Sequence, residues 1–254
     1  MILFQDNILK LIDSFTIDTL PHSILIKGDV GSGKHMIASY ISEKFNLEYV
    51  NITDNINLDT INDIYLSNQL TAYVIEIDKL SIKEQNTILK LLEEPSITAF
   101  LLLLSSNNMV LTTVENRCYK IKLNTYTKDQ LSNFIFDNVD LILSIAKTPG
   151  QALDLQGEDI AGMYELANKI FQHVRTSNFS NVLSISNRFK FDEKTKNGFS
   201  VDNFSLVLLS VARTLDPVVY LITNQYINDL NIPKVKKQQI FEQYLLNLKY
   251  KWTN

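Results

Sequence analysis

ILIKGDVGSGKH, from Ile24 to His35, runs a short apolar stretch straight into a glycine-rich turn. Gly28 to Lys34 fits the pattern G-x-x-x-x-G-K, which needs its glycines because a backbone free of β-carbons lets successive N–H groups converge on phosphate oxygens. The following helix adds its dipole, and Lys34 neutralises charge on β and γ phosphates. Met36, Ile37, Tyr40 and Ile41 recur at helical spacing directly after the loop, so the context is strand, loop, helix. Gly28, Gly31, Ser32, Gly33, Lys34 and His35 are therefore the candidate nucleotide-binding residues. His35 stands where a Ser or Thr hydroxyl ordinarily ligates Mg²⁺, and imidazole is a poor ligand for so hard a cation. ATP binding is compatible with this loop; assistance from Mg²⁺ is not expected of it.

Further strands and helices alternate outward from the loop. Tyr73–Ile77 (YVIEI) and Phe100–Leu104 (FLLLL) read as buried strands, the latter apolar on both faces, and Tyr119–Leu123 as an alternating one. Between the first two, residues 81–94 read as a helix. Ser81 and Glu84 have capping-box spacing, Ile82, Ile88, Leu89 and Leu92 form an apolar face, and Pro95 is the stop. Such alternation implies a parallel sheet covered by helices. Beyond Leu123 the pattern changes. Thr127 and Gln130 form a second capping-box candidate, short helices run to about Leu155, and Thr148-Pro149-Gly150 punctuates them. From about Glu158 the signals are helical throughout, with polar breaks near 176–178, 194–198 and 231–233. The expected organisation is an α/β domain over 1–123, a small helical lid over 124–157 and an all-helical domain over 158–254.

Composition narrows the function. The 254 residues are 45% hydrophobic and 20% charged, the make-up of a folded rather than a disordered chain. A formal net charge of −4 argues against wholesale electrostatic binding of nucleic acid, so any DNA contact is local or shared with other chains. Cys118 is the one cysteine, which excludes an internal disulfide and a four-cysteine zinc site. The apolar runs Ala99–Leu104 and Leu206–Leu209 are too short to span a bilayer. MILFQDNILK lacks the basic-then-apolar pattern of a signal peptide, so a cytoplasmic protein without a membrane partner is expected.

Four segments, in order, carry a resemblance. LPHSILIKGDVGSGK (Leu20–Lys34) leads into the phosphate loop. EIDKLSIKEQNTILKLLEEPS (Glu76–Ser96) joins a strand end to a helix closing on Leu92-Glu-Glu-Pro95. FLLLLSSNN (Phe100–Asn108) and TTVENRC (Thr112–Cys118) follow. Together they resemble the bacterial DNA polymerase III clamp-loader family of AAA+ proteins, and within it the delta-prime subunit. The resemblance implies a P-loop AAA+ domain with a parallel sheet, a small helical lid and an all-helical collar-like C-terminal domain. It also implies a hetero-oligomeric ring of clamp-loader subunits that binds ATP between neighbours and opens a sliding clamp around primed DNA.

Departures from the family's pattern assign this chain a role. Counted back from Asn86, the Mg²⁺-coordinating aspartate of active relatives falls on Ile75 and their catalytic glutamate on Glu76, with Asp78 two residues beyond. Gln151 holds the lid position that carries arginine in active subunits, and Lys147 lies on the far side of Pro149. Arg117 is retained, preceded by Asn116 where the family has serine. By resemblance it reaches a neighbour's ATP site in trans, where such fingers are worth about 10³–10⁵ in rate. The resulting expectation is a stator that does not hydrolyse ATP itself. Two alternatives stay open: an active ATPase using Glu76 and Asp78, and a nucleotide-sensing regulator on the same fold. His22, His173, the Lys234, Lys236 and Lys237 cluster, and Cys118 read as structural or solvated. The N-terminal turn of the 81–94 helix, with Lys83, Gln85 and Asn86, is a further candidate for one DNA phosphate.

Overall fold

The computed structural model describes residues 4–53, 56–106, 110–188, 198–230, 232 and 235–253. Its first unit is a five-stranded sheet, β1 (Ser23–Lys27), β2 (Glu48–Ile52), β3 (Thr71–Glu76), β4 (Ala99–Ser105) and β5 (Tyr119–Lys122). The order is β2-β3-β4-β1-β5 and every pairing is parallel. In register, Leu25 sits beside Leu103 and Lys120, and Ile75 beside Leu103 on the other side of β4.

Helices cover both faces, and the two-residue period of the strands sorts the core. Ile24, Ile26, Val74, Phe100, Leu102 and Leu104 pack on one face. They meet Ile8 and Ile12 of α1 (Asp6–Asp13) and Ile37 and Ile41 of α2 (Lys34–Lys44). Leu25, Tyr73, Ile75, Leu101 and Leu103 take the other face with Ile61 and Ile64 of α3 (Leu58–Leu66) and Ile88, Leu91 and Leu92 of α4 (Ile82–Glu93). All seven residues of β4 are buried, as a central parallel strand requires.

The capping box on α4 is formed: Glu84 N–H donates to Ser81 Oγ while Ser81 N–H donates to Glu84 Oε2 at 2.7 Å. The second box is also formed, with Thr127 N–H donating to Gln130 Oε1 at 3.0 Å and Gln130 N–H to Thr127 Oγ1 at 3.2 Å. Three expectations change. Ile82 is 68% exposed and does not join the apolar face of α4, because the first helical position lies ahead of the turn that packs. Ile77 leaves the strand for a 3₁₀ turn (Ile77–Lys79). A half-exposed edge strand, β2, precedes the expected second strand.

Cα packing divides the chain into two compact units: residues 1–130 with 148–150, and residues 131–147 with 151–254. The second unit is helical. Its core joins Ile142, Ile145, Leu155, Met163, Phe171, Phe204, Leu208, Phe241, Tyr244 and Leu248. These come from α7 (Val139–Ile145), α8 (Pro149–Gln156), α9 (Ile160–Thr176), α11 (Val201–Leu215) and α13 (Lys237–Thr253). The break at 176–178 separates α9 from α10 (Phe179–Arg188), and α12 (Pro217–Leu230) stops before the third break. The expected break at 194–198 lies almost wholly outside the described residues, as do Asn107, Asn108, Pro233 and Lys234. No helix among the described residues is long and apolar enough to cross a membrane.

Candidate functional site

The phosphate loop leaves the C-terminal end of β1, the inner strand from which the chain crosses to the sheet's far edge. Ligands of open parallel sheets bind at such crevices. Gly31 and Gly33 have φ of 77° and 95°, left-handed values that turn alternate N–H groups to one side and build a concave nest. Gly28 serves packing instead: a β-carbon there would stand 2.7 Å from Ser32 Oγ and 3.0 Å from Leu123.

Each carbonyl from Gly28 to Ser32 has a donor. Lys34 Nζ donates to Gly28 O at 2.7 Å and to Asp29 O at 2.9 Å. Thr148 Oγ1 donates to Val30 O at 2.7 Å, Gly150 N–H to Gly31 O at 3.0 Å and Tyr126 OH to Ser32 O at 2.9 Å. The Thr148-Pro149-Gly150 punctuation thus straps the loop. Tyr126 carried no signal in the sequence, because a hydroxyl's partner across a fold leaves no local pattern. Burial depresses the Lys34 pKa, opposed by Asp78, Asp29 and Glu76.

His35, the second residue of α2, turns to Tyr49 OH through Nδ1 (3.2 Å) and to Glu76 Oε1 through Nε2 (3.4 Å). Glu76 also pairs with Lys79 at 2.9 Å. Partial burial pushes the Glu76 carboxyl up, but Lys79 and His35 outweigh it and hold it below the usual range. Asp78 accepts from Ser105 Oγ at 3.0 Å and from Ser106 N–H, which ties the turn after β3 to the end of β4. Ile75 is 1% exposed, in the core with Leu103. Magnesium does not fit this set. One ligand position holds an aliphatic core residue, another an imidazole, and the nearby carboxylates are bound to basic side chains or to the turn. Gln151, in the first turn of α8, accepts from Lys147 N–H at 2.8 Å.

Arg117 follows α5 (Thr112–Glu115), which an ion pair from Glu115 to Lys27 fastens to the end of β1. Its Nη1 donates to Thr113 O at 2.9 Å and its Nη2 lies 2.5 Å from Glu93 Oε1, the first glutamate of the Leu92-Glu-Glu-Pro95 run. Both partners of this pair are substantially exposed, so it contributes at most about 1 kcal/mol and yields readily to a stronger anion. Glu93 as the arginine's partner was not legible before the fold brought α4 and α5 together.

The remaining candidates take these positions. His22 stacks on Phe100 (centroids 4.8 Å apart, 12° between planes), with Nδ1 3.1 Å from Ala99 O. His173 is exposed on α9. Gln85 is buried, its amide nitrogen facing Ile77 O and Leu80 O and its oxygen accepting from Leu111 N–H, so of the three candidate residues only Lys83 and Asn86 are exposed. Lys237 faces Asp202 at 3.8 Å. Burial pushes the Cys118 thiol up to about 11, with Lys120 opposing and Glu115 adding to the shift. Cys118 should therefore alkylate about 10²-fold more slowly at pH 8 than a free thiol. Iodoacetamide kinetics on the native chain check this; labelling at the free-thiol rate would show the side chain to be open.

Comparison with known proteins agrees with this geometry. Residues 52–127, from β2 through Arg117 to β5, match the model of the family described as DNA polymerase III, delta subunit. No curated protein sequence matches the chain significantly. Among solved structures, the Thermotoga maritima RuvB Holliday junction branch migration motor overlays with a TM-score of 0.53 at 16% identity, covering 97% of this chain and 87% of that one. A DNA polymerase III gamma subunit-related protein of the same organism aligns over 98% of this chain and 99% of its own at 15% identity, with a TM-score of 0.47. A point mutant of the RuvB protein gives 0.48 at 15% identity over 65% of this chain, which spans 64% of that one. The RuvB motor overlay carries the fold, and the family match carries the segment holding Glu76, the Leu92-Glu-Glu-Pro95 run and Arg117. The chain thus has a fold like that of the RuvB motor, and its residues 52–127 are similar to the DNA polymerase III delta subunit family.

Proposed function

We propose that this chain is a delta-prime-like stator of a DNA sliding-clamp loader, lending Arg117 to a neighbour's ATP site and hydrolysing no ATP itself. The observation that supports this most is the contrast between Ile75, sealed in the core where a metal ligand is needed, and Arg117, half-exposed on a turn braced by Lys27 and Glu115. Its partners would be other clamp-loader subunits, and through them the sliding clamp and primed DNA. The rival reading, an active ATPase built on Glu76 and Asp78, needs both carboxylates to abandon the partners described above.

The test has two parts. The purified chain with Mg²⁺ and ATP should show no turnover above background, unaltered by Lys34→Ala, and the chain should co-purify with the ATPase subunits of the same replication system. Turnover that Lys34→Ala abolishes would overturn the stator reading in favour of the active ATPase.

A further inference from the structure

Arg117 is held at rest by its own chain. Each terminal nitrogen of the guanidinium is engaged: Nη1 donates to Thr113 O at 2.9 Å, and Nη2 lies 2.5 Å from Glu93 Oε1. Core packing brings the two residues together. Ile88, Leu91 and Leu92 of α4 share a core cluster with Val114 of α5, and buried Gln85 of α4 accepts from the N–H of Leu111, the residue ahead of α5. At the far end of α4, Tyr65 OH donates to Glu94 O at 2.8 Å and fixes the backbone on which Glu93 stands. Glu93 closes α4 at the negative end of the helix dipole, where a carboxylate is unfavourable, so its charge does not serve the helix. Lys90, the basic residue of that last turn, lies over the Tyr65 ring instead, 5.7 Å from its centroid. Among the described residues, Arg117 is the one cation within ion-pair distance of Glu93.

We propose that Glu93 is a resting site for Arg117, a carboxylate that holds the guanidinium on its own chain until a neighbour's triphosphate displaces it. The inference rests on the stator reading and adds a reversible step to it. Carboxylate and phosphoryl oxygens compete for the same fork of N–H donors. A triphosphate brings several negative charges against one, so it takes the guanidinium where it is present, and Glu93 recovers it where it is not. Because the pair is exposed, it biases that equilibrium by only up to about fivefold. A delivered arginine is worth about 10³ or more in rate, so Glu93 slows its delivery without preventing it. Glu93 is a positioning residue: it acts through Arg117 and touches no reacting atom.

Glu93→Gln removes the charge and keeps the shape, and circular dichroism checks that the fold is kept. In the isolated chain, phenylglyoxal should modify Arg117 about threefold faster in the variant, read by peptide mass spectrometry. That difference should vanish near about 0.5 M NaCl, where an exposed pair is screened; a purely steric role would not respond to salt. In the reconstituted loader without clamp or DNA, at low salt, the variant should hydrolyse ATP about threefold faster. The substitution should change nothing when Arg117 is already alanine. Equal labelling of both chains overturns the proposal, as does a variant loader that turns over at the same rate or more slowly, since Glu93 would then not restrain the arginine. If Arg117→Ala also leaves turnover untouched, the stator reading falls as well; if Arg117→Ala slows turnover, only the resting site is lost.

Discussion

On the proposed stator reading, Arg117→Ala is expected to slow ATP hydrolysis by the assembled clamp loader about 10³-fold or more while leaving assembly intact. The guanidinium sits on the turn after α5, outside every core cluster, so its removal leaves no cavity, and the exposed pair with Glu93 is worth at most about 1 kcal/mol. What is lost is a planar, permanently charged group that can stabilise charge on a transferring phosphoryl from across an interface. Arg117→Lys should recover little of the rate, since an ammonium cannot reproduce the two-pronged geometry. The measurement is steady-state ATPase of the reconstituted complex with clamp and primed DNA, alongside size-exclusion chromatography to confirm assembly. A fully assembled variant with undiminished turnover would falsify the assignment of this arginine.

Gly150→Ala should break the strap over the phosphate loop. A β-carbon at Gly150 would stand 2.6 Å from Gly31 Cα and 3.0 Å from Gly31 O, and both are backbone atoms that cannot rotate aside. Either the strap or the loop must shift, at about 1–3 kcal/mol for overpacking. The hydrogen bonds from Gly150 N–H to Gly31 O and from Thr148 Oγ1 to Val30 O would go with it, at about 1 kcal/mol each. Hydrogen exchange of the segment around Val30 and Gly31 should accelerate by at least about tenfold, and the urea midpoint of the α/β unit should fall. Unchanged exchange and an unchanged midpoint would mean that the strap contributes nothing to the shape of the loop.

The sequence reached some of these features because they are local. The capping box at Ser81 and Glu84 is a three-residue pattern, and the burial of β4 follows from a run of leucines too short for a helix. β2 escaped because Glu48-Tyr-Val-Asn-Ile52 is a half-exposed edge whose side chains show neither alternation nor a long apolar run. Ile82 misled for the opposite reason: spacing assigned it to the apolar face, but the helix begins there and its side chain faces solvent. The chemistry divides the same way. Gly28 to Lys34 declares itself as a motif. The partners that shape it, Tyr126 and Thr148, and the partner that holds Arg117, Glu93, meet their targets only through tertiary contact.

The two edges of the sheet carry a consequence for solubility. β5 exposes Lys120 and Lys122, and β2 exposes Glu48 and Asn51, while among the described residues each strand pairs on one side only. Charged edges oppose the addition of a foreign strand, because docking a second chain there would crowd or desolvate ammonium and carboxylate groups. The sheet therefore resists fibrillar growth despite its wholly apolar central strand.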